Sequence, residues 1–372
     1  MLFALDHLSC VCALGRTNGE VLENLRRRST AGMVPLSGEI PGRTVVFGEV
    51  PGALPDIDDP EYDTRTDKLL KLAVDNHRDV FESFVARYGA DRVAVVLGTS
   101  NTGIDEAQRH VDAWIGSGKK PAAMRFSEIE LGAPSEYLAR ILGVKGPAYS
   151  ISTACSSSAK VFPAARRLIE AGVVDAAIVG GADGRCRFAL NGFHALGALS
   201  EGLCRPLAPD RDGINLGEGA ALFTMARMDG NGGAVCFAGA GETSDAYHPT
   251  APDPEGNGAE AAMRAALADA GLSPEAVSYV NLHGTGTMAN DEMEMKALSR
   301  VFPGVLKEPP EGPAYESTKP FTGHCLGAAG AVEAALCWLK LASGEIAGAT
   351  LSNSFAFGGS NASVVLRKNP LP

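Results

Sequence analysis

Ser150-Ile-Ser-Thr-Ala-Cys155-Ser-Ser-Ser-Ala-Lys160 is the stretch from which the rest of the chain is read. An apolar, strand-like run, Tyr149 to Thr153, ends at the cysteine, and a helix-like run begins there. A strand-to-helix junction of this kind converges backbone N–H groups on the residue it carries. The positive end of a helix favours thiolate over thiol, so the position predicts a primed nucleophile. Small neighbours, Ser152, Ala154, Ser156, Ser157 and Ser158, leave room for a long substrate arm to reach the sulfur. The plainer reading is an inert buried thiol, the usual state of a free cysteine.

Two histidines stand far downstream, each in a glycine-rich loop. His283 lies in Asn281-Leu-His-Gly-Thr-Gly-Thr287, and His324 in Ser317-Thr-Lys-Pro-Phe-Thr-Gly-His-Cys-Leu-Gly-Ala-Ala-Gly330. One cysteine and two loop histidines point to covalent acyl chemistry. Around His283, Gly284 and Gly286 permit close backbone approach, Thr285 and Thr287 offer hydroxyls, and Asp291 and Glu294 follow on the next helix. The same string fits a loose GxGxxA dinucleotide fingerprint, but no acidic residue closes a following strand, so NAD is not expected. Glu333 sits among alanines and leucines in the helical run Gly327–Ala342. A buried carboxylate needs a partner, and Lys319 is the expected one; otherwise Glu333 faces solvent. Phe355-Ala-Phe-Gly-Gly-Ser-Asn361 reads as a hairpin turn, or as a mobile gate whose backbone N–H points at a reacting carbonyl.

Strand and helix patterns alternate along the whole chain, which argues for a layered α/β architecture. Val93–Leu97 is a continuous apolar run, the mark of a strand covered on both faces. Asp67–Arg87 carries helical apolar spacing, and Pro163 is expected to kink the helix after Cys155. Ala176–Val179, Ala220–Met225, Val235–Ala238 and Val277–Leu282 read as strands, and Ala259–Ala270 and Glu292–Val301 as helices. The polar, glycine-rich stretch Asp229–Gly233 is the expected boundary between two halves. Residues 1–230 then carry the nucleophile, and 231–372 both histidines.

Composition narrows the classes further. The 372 residues, 45% hydrophobic and 21% charged, suit a globular protein large enough for one big core or two joined ones. A net charge of −11 argues against nucleic acid as the main partner. Local basic groups remain: Arg26-Arg27-Arg28, Arg65 with Lys68 and Lys71, and Lys119-Lys120 with Arg125, which are either docking points or solvated helix faces. The eight cysteines are scattered, without a paired CxxC, so neither a zinc site nor a disulfide framework is expected. The first residues lack a basic n-region, and no apolar run reads as long enough to span a bilayer, so the reducing cytoplasm is the expected compartment.

Taken together, these motifs resemble those of the β-ketoacyl-ACP synthases, condensing enzymes of the thiolase superfamily, and most closely their elongating branch. The matching stretches are Ser152–Ser157, Arg211–Gly219, His283–Thr287, Lys319–Gly330 and Asn353–Asn361. The resemblance implies a thiolase-like fold of two similar αβ halves in a five-layer αβαβα sandwich, usually dimeric. It implies Cys155 as the nucleophile that takes an acyl chain from a phosphopantetheine thioester. His283 and His324 would serve decarboxylation of malonyl-ACP and stabilise the enolate, with Lys319 and Glu333 as a supporting charged pair. The N–H groups of Cys155 and Phe357 would form the oxyanion hole, and Thr285 and Thr287 would bind the pantetheine arm. Phe355, Phe357, Gly358 and Ile104 would shape the gate and acyl pocket. An acidic acyl carrier protein would meet the basic patch Arg65, Lys68, Lys119, Lys120 and Arg125. No metal or redox cofactor is implied, because loss of CO₂ itself generates the carbanion.

Three departures from the family pattern stand out: Ser158 and Ala356 where glycine is common, and a short connection from Gly344 to Leu351. Ser-Thr-Ala-Cys-Ser-Ser-Ser and Asn-Ser-Phe-Ala-Phe-Gly-Gly-Ser-Asn are similar to the ketosynthases of bacterial aryl-polyene pathways, which can pair with a homologous chain-length factor. Two other functions stay open at this point: a thioester hydrolase, and a partner subunit of chain-length-factor type, for which keeping Cys155, His283 and His324 would be unnecessary.

Overall fold

The computed structural model describes residues 2–228, 235–304 and 313–369. Thirteen strands are described: β1 Phe3–Cys12, β2 Met33–Ile40, β3 Arg43–Gly48, β4 Val93–Gly98, β5 Ala148–Ile151, β6 Ala176–Asp183, β7 Leu216–Gly217, β8 Gly219–Arg227, β9 Val235–Ser244, β10 Val277–Asn281, β11 Ala314–Glu316, β12 Ala349–Phe355 and β13 Ser360–Lys368. Strands β2, β3 and β7 form a small separate sheet. The other ten run in the order β11-β10-β12-β13-β9-β1-β8-β6-β4-β5. The join in the middle is slight, two residue pairs between β1 and β9.

Each side of that join repeats the other. Numbered along the chain, both five-stranded sheets run third, second, fourth, fifth, first. In both, the second strand lies parallel to the third and fourth, and the fifth lies antiparallel to its neighbours. Helices 65–75, 78–88 and 133–142 cover the outer face of the first sheet. Helices 257–270 and 288–301 cover that of the second. Helices 161–170 and 329–343 lie between the sheets, within the largest core. This is the five-layer αβαβα arrangement.

The central position explains sequence features that are odd for a surface helix. Helix 329–343 is buried almost all round because it faces a sheet on either side. Its extended stretch Leu326–Ser343 has the length and hydropathy of a membrane span, contrary to the expectation that no run reaches that length, but 78% of it is buried inside the molecule. Strand β4 is buried at every residue, as its unbroken apolar run requires.

Several local readings are corrected. Asp67–Arg87 is two helices, broken at Asn76 and His77, where His77 leaves the helical conformation with φ −147° and ψ 34°. The helix after Cys155 begins only at Val161. Pro163 therefore falls in the first turn, where a missing N–H costs no intrahelical bond, and it produces no kink. The strand from Ala176 continues through Gly180-Gly181 to Asp183; a Cβ at Gly180 would lie 1.9 Å from the Ala221 carbonyl oxygen. The connection after Gly344 is short and closed, with Lys368 N–H donating to the Gly348 carbonyl. The boundary expected at Asp229–Gly233 lies outside the described residues. All eight cysteines are free and buried.

Candidate active site

Repetition of the halves builds the site. Cys155 follows the third strand of the first sheet, and His324 follows the third strand of the second. Each loop then leads into a central helix. The two loops cross in contact: Ser158 N–H donates to the Gly327 carbonyl, and Ala331 N–H donates to Ser158 Oγ at 2.8 Å. Ser158, a departure from the family pattern, thus satisfies an amide at the start of helix 329–343 that would otherwise lack a partner. Glycines make room for the crossing: a Cβ at Gly98 would lie 2.3 Å from Ser158 N, and one at Gly330 2.6 Å from Ala159 N.

The chemistry-bearing atoms converge. His324 Nε2 lies 3.0 Å from Cys155 Sγ. The two imidazoles meet edge-on, with centroids 5.3 Å apart. The sulfur and one nitrogen of each ring all lie within 4.8 Å of one another. Ala154 holds a positive φ of 52°, a conformation that non-glycine residues seldom adopt, and presents Cys155 at a tight elbow. The N–H groups of Phe357 and Cys155 itself both face the sulfur.

Burial sets the protonation states. It pushes the Cys155 thiol up to about 11, against the pull of the Lys319 ammonium and the two N–H groups. The expected thiolate is thus not the resting form, because the helix that was to stabilise it starts six residues later. Burial, and then the Lys319 charge, push both His283 and His324 well below the usual imidazole range. The resting site is a neutral thiol facing two neutral imidazoles. Such a triad has the spacing for a soft divalent cation, although the nearby ammonium opposes one.

Lys319 and Glu333 do meet, at 2.5 Å, and both are buried. Lys319 Nζ also donates to the His283 carbonyl at 2.5 Å, so the pair anchors the His283 loop. The carboxylates that complete the support had no role legible in the sequence. Glu294 accepts the N–H groups of His283 and Gly284 at 2.8 and 2.7 Å. Asp291 accepts the Leu207 N–H at 2.8 Å and pairs with Arg211 at 3.3 Å. Asp183 takes the Ser100 and Asn101 N–H groups at 3.0 and 2.9 Å, fixing the turn before Ile104. The available signal was an acidic residue ending an apolar strand, or lying on the apolar face of a helix. The motif Arg211–Gly219 also gains a function, since the Asn215 carbonyl accepts the His324 N–H at 2.8 Å.

Two cavities reach the thiol. One, of about 210 Å³, is lined by Cys155, both histidines, Thr285, Thr287 and Phe355. The other, of about 440 Å³, is mostly apolar and is lined by Cys155, Ile104, Phe188, Phe193, Leu326 and Phe357. Phe357 borders both and stacks on Phe193, with centroids 5.5 Å apart at 19°. Gly358 has φ +80°, and its N–H is held by the Pro249 carbonyl.

Of the expected docking residues, Arg65 and Lys68 border one shallow cavity together with Arg109 and Arg185. Arg65 is bound to the buried Glu218 carboxylate at 2.5 and 2.6 Å and also pairs with Glu49, so it is not free for an acidic partner. Lys68 pairs with Asp63 and Arg125 with Glu61, and Lys119 and Lys120 are exposed. None of the five lines either cavity that reaches the thiol.

A thiol nucleophile with two imidazoles, set where two repeated αβ halves meet, defines a thiolase-type acyl-transfer enzyme. Comparison places the chain within that class. Residues 56–230 match the family described as beta-ketoacyl synthase, N-terminal domain, and residues 234–351 the corresponding C-terminal domain. The chain is 30% identical to nodulation protein E of Rhizobium meliloti over 96% of its own length and 97% of that protein. It is 32% identical to 3-oxoacyl-[acyl-carrier-protein] synthase 2 of Coxiella burnetii, covering 82% and 83%. Among solved structures, the ketosynthase ApeO in complex with its chain length factor ApeC from Xenorhabdus doucetiae superposes with a TM-score of 0.91 at 38% identity, over 99% of this chain and 98% of that one. The ishigamide ketosynthase/chain length factor gives 0.84 at 26% identity, over 99% of both. The chain belongs to the β-ketoacyl synthase family; it is an acyltransferase of chain elongation.

Proposed function

We propose that this chain is the catalytic ketosynthase of an aryl-polyene-type pathway, working in the cytoplasm on acyl chains carried by an acyl carrier protein. The observation that carries the chemistry is the 3.0 Å contact between Cys155 Sγ and His324 Nε2, with His283 beside it at the end of a cavity. His324 Nε2 takes the thiol proton as Sγ attacks the carbonyl carbon of an acyl-pantetheine thioester. The oxyanion rests on the N–H groups of Cys155 and Phe357. The bond from carbon to the pantetheine sulfur breaks, and the proton leaves on that sulfur.

Malonyl-pantetheine then enters past Thr285 and Thr287. Its C–C bond to the carboxylate breaks and CO₂ departs. The electron pair stays behind as an enolate, whose oxygen takes a hydrogen bond from His283 and, once the remaining proton of the His324 ring has moved from Nδ1 to Nε2, one from His324. The enolate carbon attacks the acyl carbonyl, the bond to Cys155 breaks, and the thiolate takes up one proton from solvent, the proton that the overall condensation consumes. The steps call for no metal or redox cofactor. The polyene assignment is supported by the 38% identity to ApeO and by an acyl cavity walled by the rings of Phe188, Phe193 and Phe357, which suit a flat chain. Pairing with a homologous chain is supported by the ApeO and ishigamide complexes, and by the apolar side chains Trp114, Ile115, Phe126 and Ile129 exposed on the first half.

The test is intact-protein mass spectrometry with acyl-ACP and then malonyl-ACP, with and without a co-expressed homologue. The expected record is an acyl adduct on Cys155, release of CO₂, and a β-ketoacyl product. Cys155→Ala should lose the adduct and cut condensation by more than about a thousandfold. Free acid without condensation would instead make the protein a hydrolase.

A further inference from the structure

Lys160 closes the motif around the nucleophile, and the acyl chemistry leaves it unused. It ends the turn after Cys155 and caps the helix 161–170. Its side chain folds back on the gate, with Nζ donating to Ser360 Oγ at 2.6 Å. The Ser360 and Ser156 hydroxyls lie 3.1 Å apart, and Ser156 Oγ reaches the Thr153 carbonyl at 2.9 Å. A continuous run of contacts thus joins the root of one loop to the residue beside the nucleophile. Lys160 forms no ion pair among the described residues. Burial pulls its ammonium below the usual lysine range, and Glu242, the carboxylate that counters this, is bonded to Arg167. The partner of the ammonium is thus a neutral hydroxyl at the gate and not a carboxylate.

What it holds is the inner end of the hinge. Ser360 directly follows Gly358 and Gly359, at φ +80° and +75°. Backbone bonds hold the rest of the turn, since the Gly358 N–H donates to the Pro249 carbonyl and the Asp245 N–H to the Gly359 carbonyl, both at 2.8 Å, and the Ala356 N–H to the Ser360 carbonyl at 2.9 Å, so Lys160 supplies the side-chain contact at Ser360. Phe357, on the far side of the two glycines, supplies the N–H that faces the sulfur. We infer that Lys160 is a positioning residue for the gate: by latching Ser360 to the nucleophile turn, it keeps the Phe357 N–H aimed at the reacting carbonyl during acyl transfer. Release of the latch lets the hinge swing for the second substrate. This rests on the reading of that N–H as an oxyanion donor.

The test uses the full chain as wild type, Lys160→Met, Lys160→Arg and Ser360→Ala, with an octanoyl-pantetheine thioester as the acyl donor. Amide hydrogen exchange over residues 356–361 reads the latch directly. In Lys160→Met and Ser360→Ala, exchange there should quicken and kcat for acylation of Cys155 should fall by about tenfold, the scale of one charge-assisted hydrogen bond, with KM unchanged. Lys160→Arg should recover most of both. Unchanged exchange and unchanged kcat in the Met and Ala variants would overturn the proposal, as would a fall in kcat without faster exchange. If Lys160→Met does not fold, Ser360→Ala decides alone. A wild-type protein that never acylates Cys155 would defeat the ketosynthase reading, while the exchange rates still decide the latch.

Discussion

Cys155 is buried and neutral at rest, and the groups around it explain how such a thiol is used. The ion pair Lys319–Glu333 is fully enclosed and holds the His283 carbonyl, so its value lies in positioning more than in stability. Lys319→Met should lower the unfolding free energy by about 3–5 kcal/mol, because Glu333 is left as an uncompensated buried carboxylate. The double variant Lys319→Met/Glu333→Leu should regain most of that loss in denaturant unfolding, yet stay inactive in condensation. Glu294 yields a pH signature. Burial raises its carboxyl from 4.5 to about 7, partly offset by the Gly284 and His283 amides. Between those values the folded state keeps a proton that the unfolded state has lost. Its contribution to stability is therefore full below pH 4.5 and is lost as pH rises to about 7. The stability difference between wild type and Glu294→Gln should accordingly shrink by roughly 3 kcal/mol over that window and then level off. The opposite trend from the two depressed histidines is common to both proteins and cancels.

At the scale of elements, the crossing of the two loops that lead into the central helices decides what a glycine is for. Gly330 lies in the first turn of helix 329–343, where helix propensity alone favours alanine by about 1 kcal/mol. Its Cβ would stand 2.6 Å from the Ala159 backbone nitrogen, which cannot yield without moving the nucleophile turn. Overpacking of about 1–3 kcal/mol wins, so Gly330→Ala should be destabilising and should slow acylation of Cys155. Gly116, in helix 104–117, has nothing within 4 Å of the same position. Gly116→Ala should therefore stabilise by about 0.5–1 kcal/mol. Paired denaturant titrations of the two variants give opposite signs if the crossing is as described.

For the whole molecule, the first sheet ends at β5, a half-exposed edge strand only four residues long. The same half exposes Ile115 at 79% and Phe126 at 71%, large apolar side chains of the kind that a partner surface covers. The double variant Ile115→Asp/Phe126→Asp should keep its circular dichroism but run as a monomer in light scattering. The unchanged chain should form a dimer, with itself or with a co-expressed homologue. The larger cavity lies among Ile104, Phe188 and Leu196 on this same half, so acyl transfer should weaken along with assembly.

Read alone, the sequence determined the alternating α/β architecture, singled out the one cysteine and two histidines that the fold brings together, and named the partner of Glu333, because strand periodicity, glycine-rich loops and a charge in an apolar helix are local signals. Only the tertiary structure decided how those signals are held together. Arg65 looked like a docking cation until Glu218, 153 residues away, proved to be its partner. Cys155 looked like a thiolate until burial and the late start of its helix placed the proton on sulfur. The carboxylates Glu294, Asp291 and Asp183 had no legible role, since each grips loop amides that become neighbours only in the fold. Such contacts depend on where repeated halves meet, and desolvation depends on what covers a group; neither is written in any single stretch of chain.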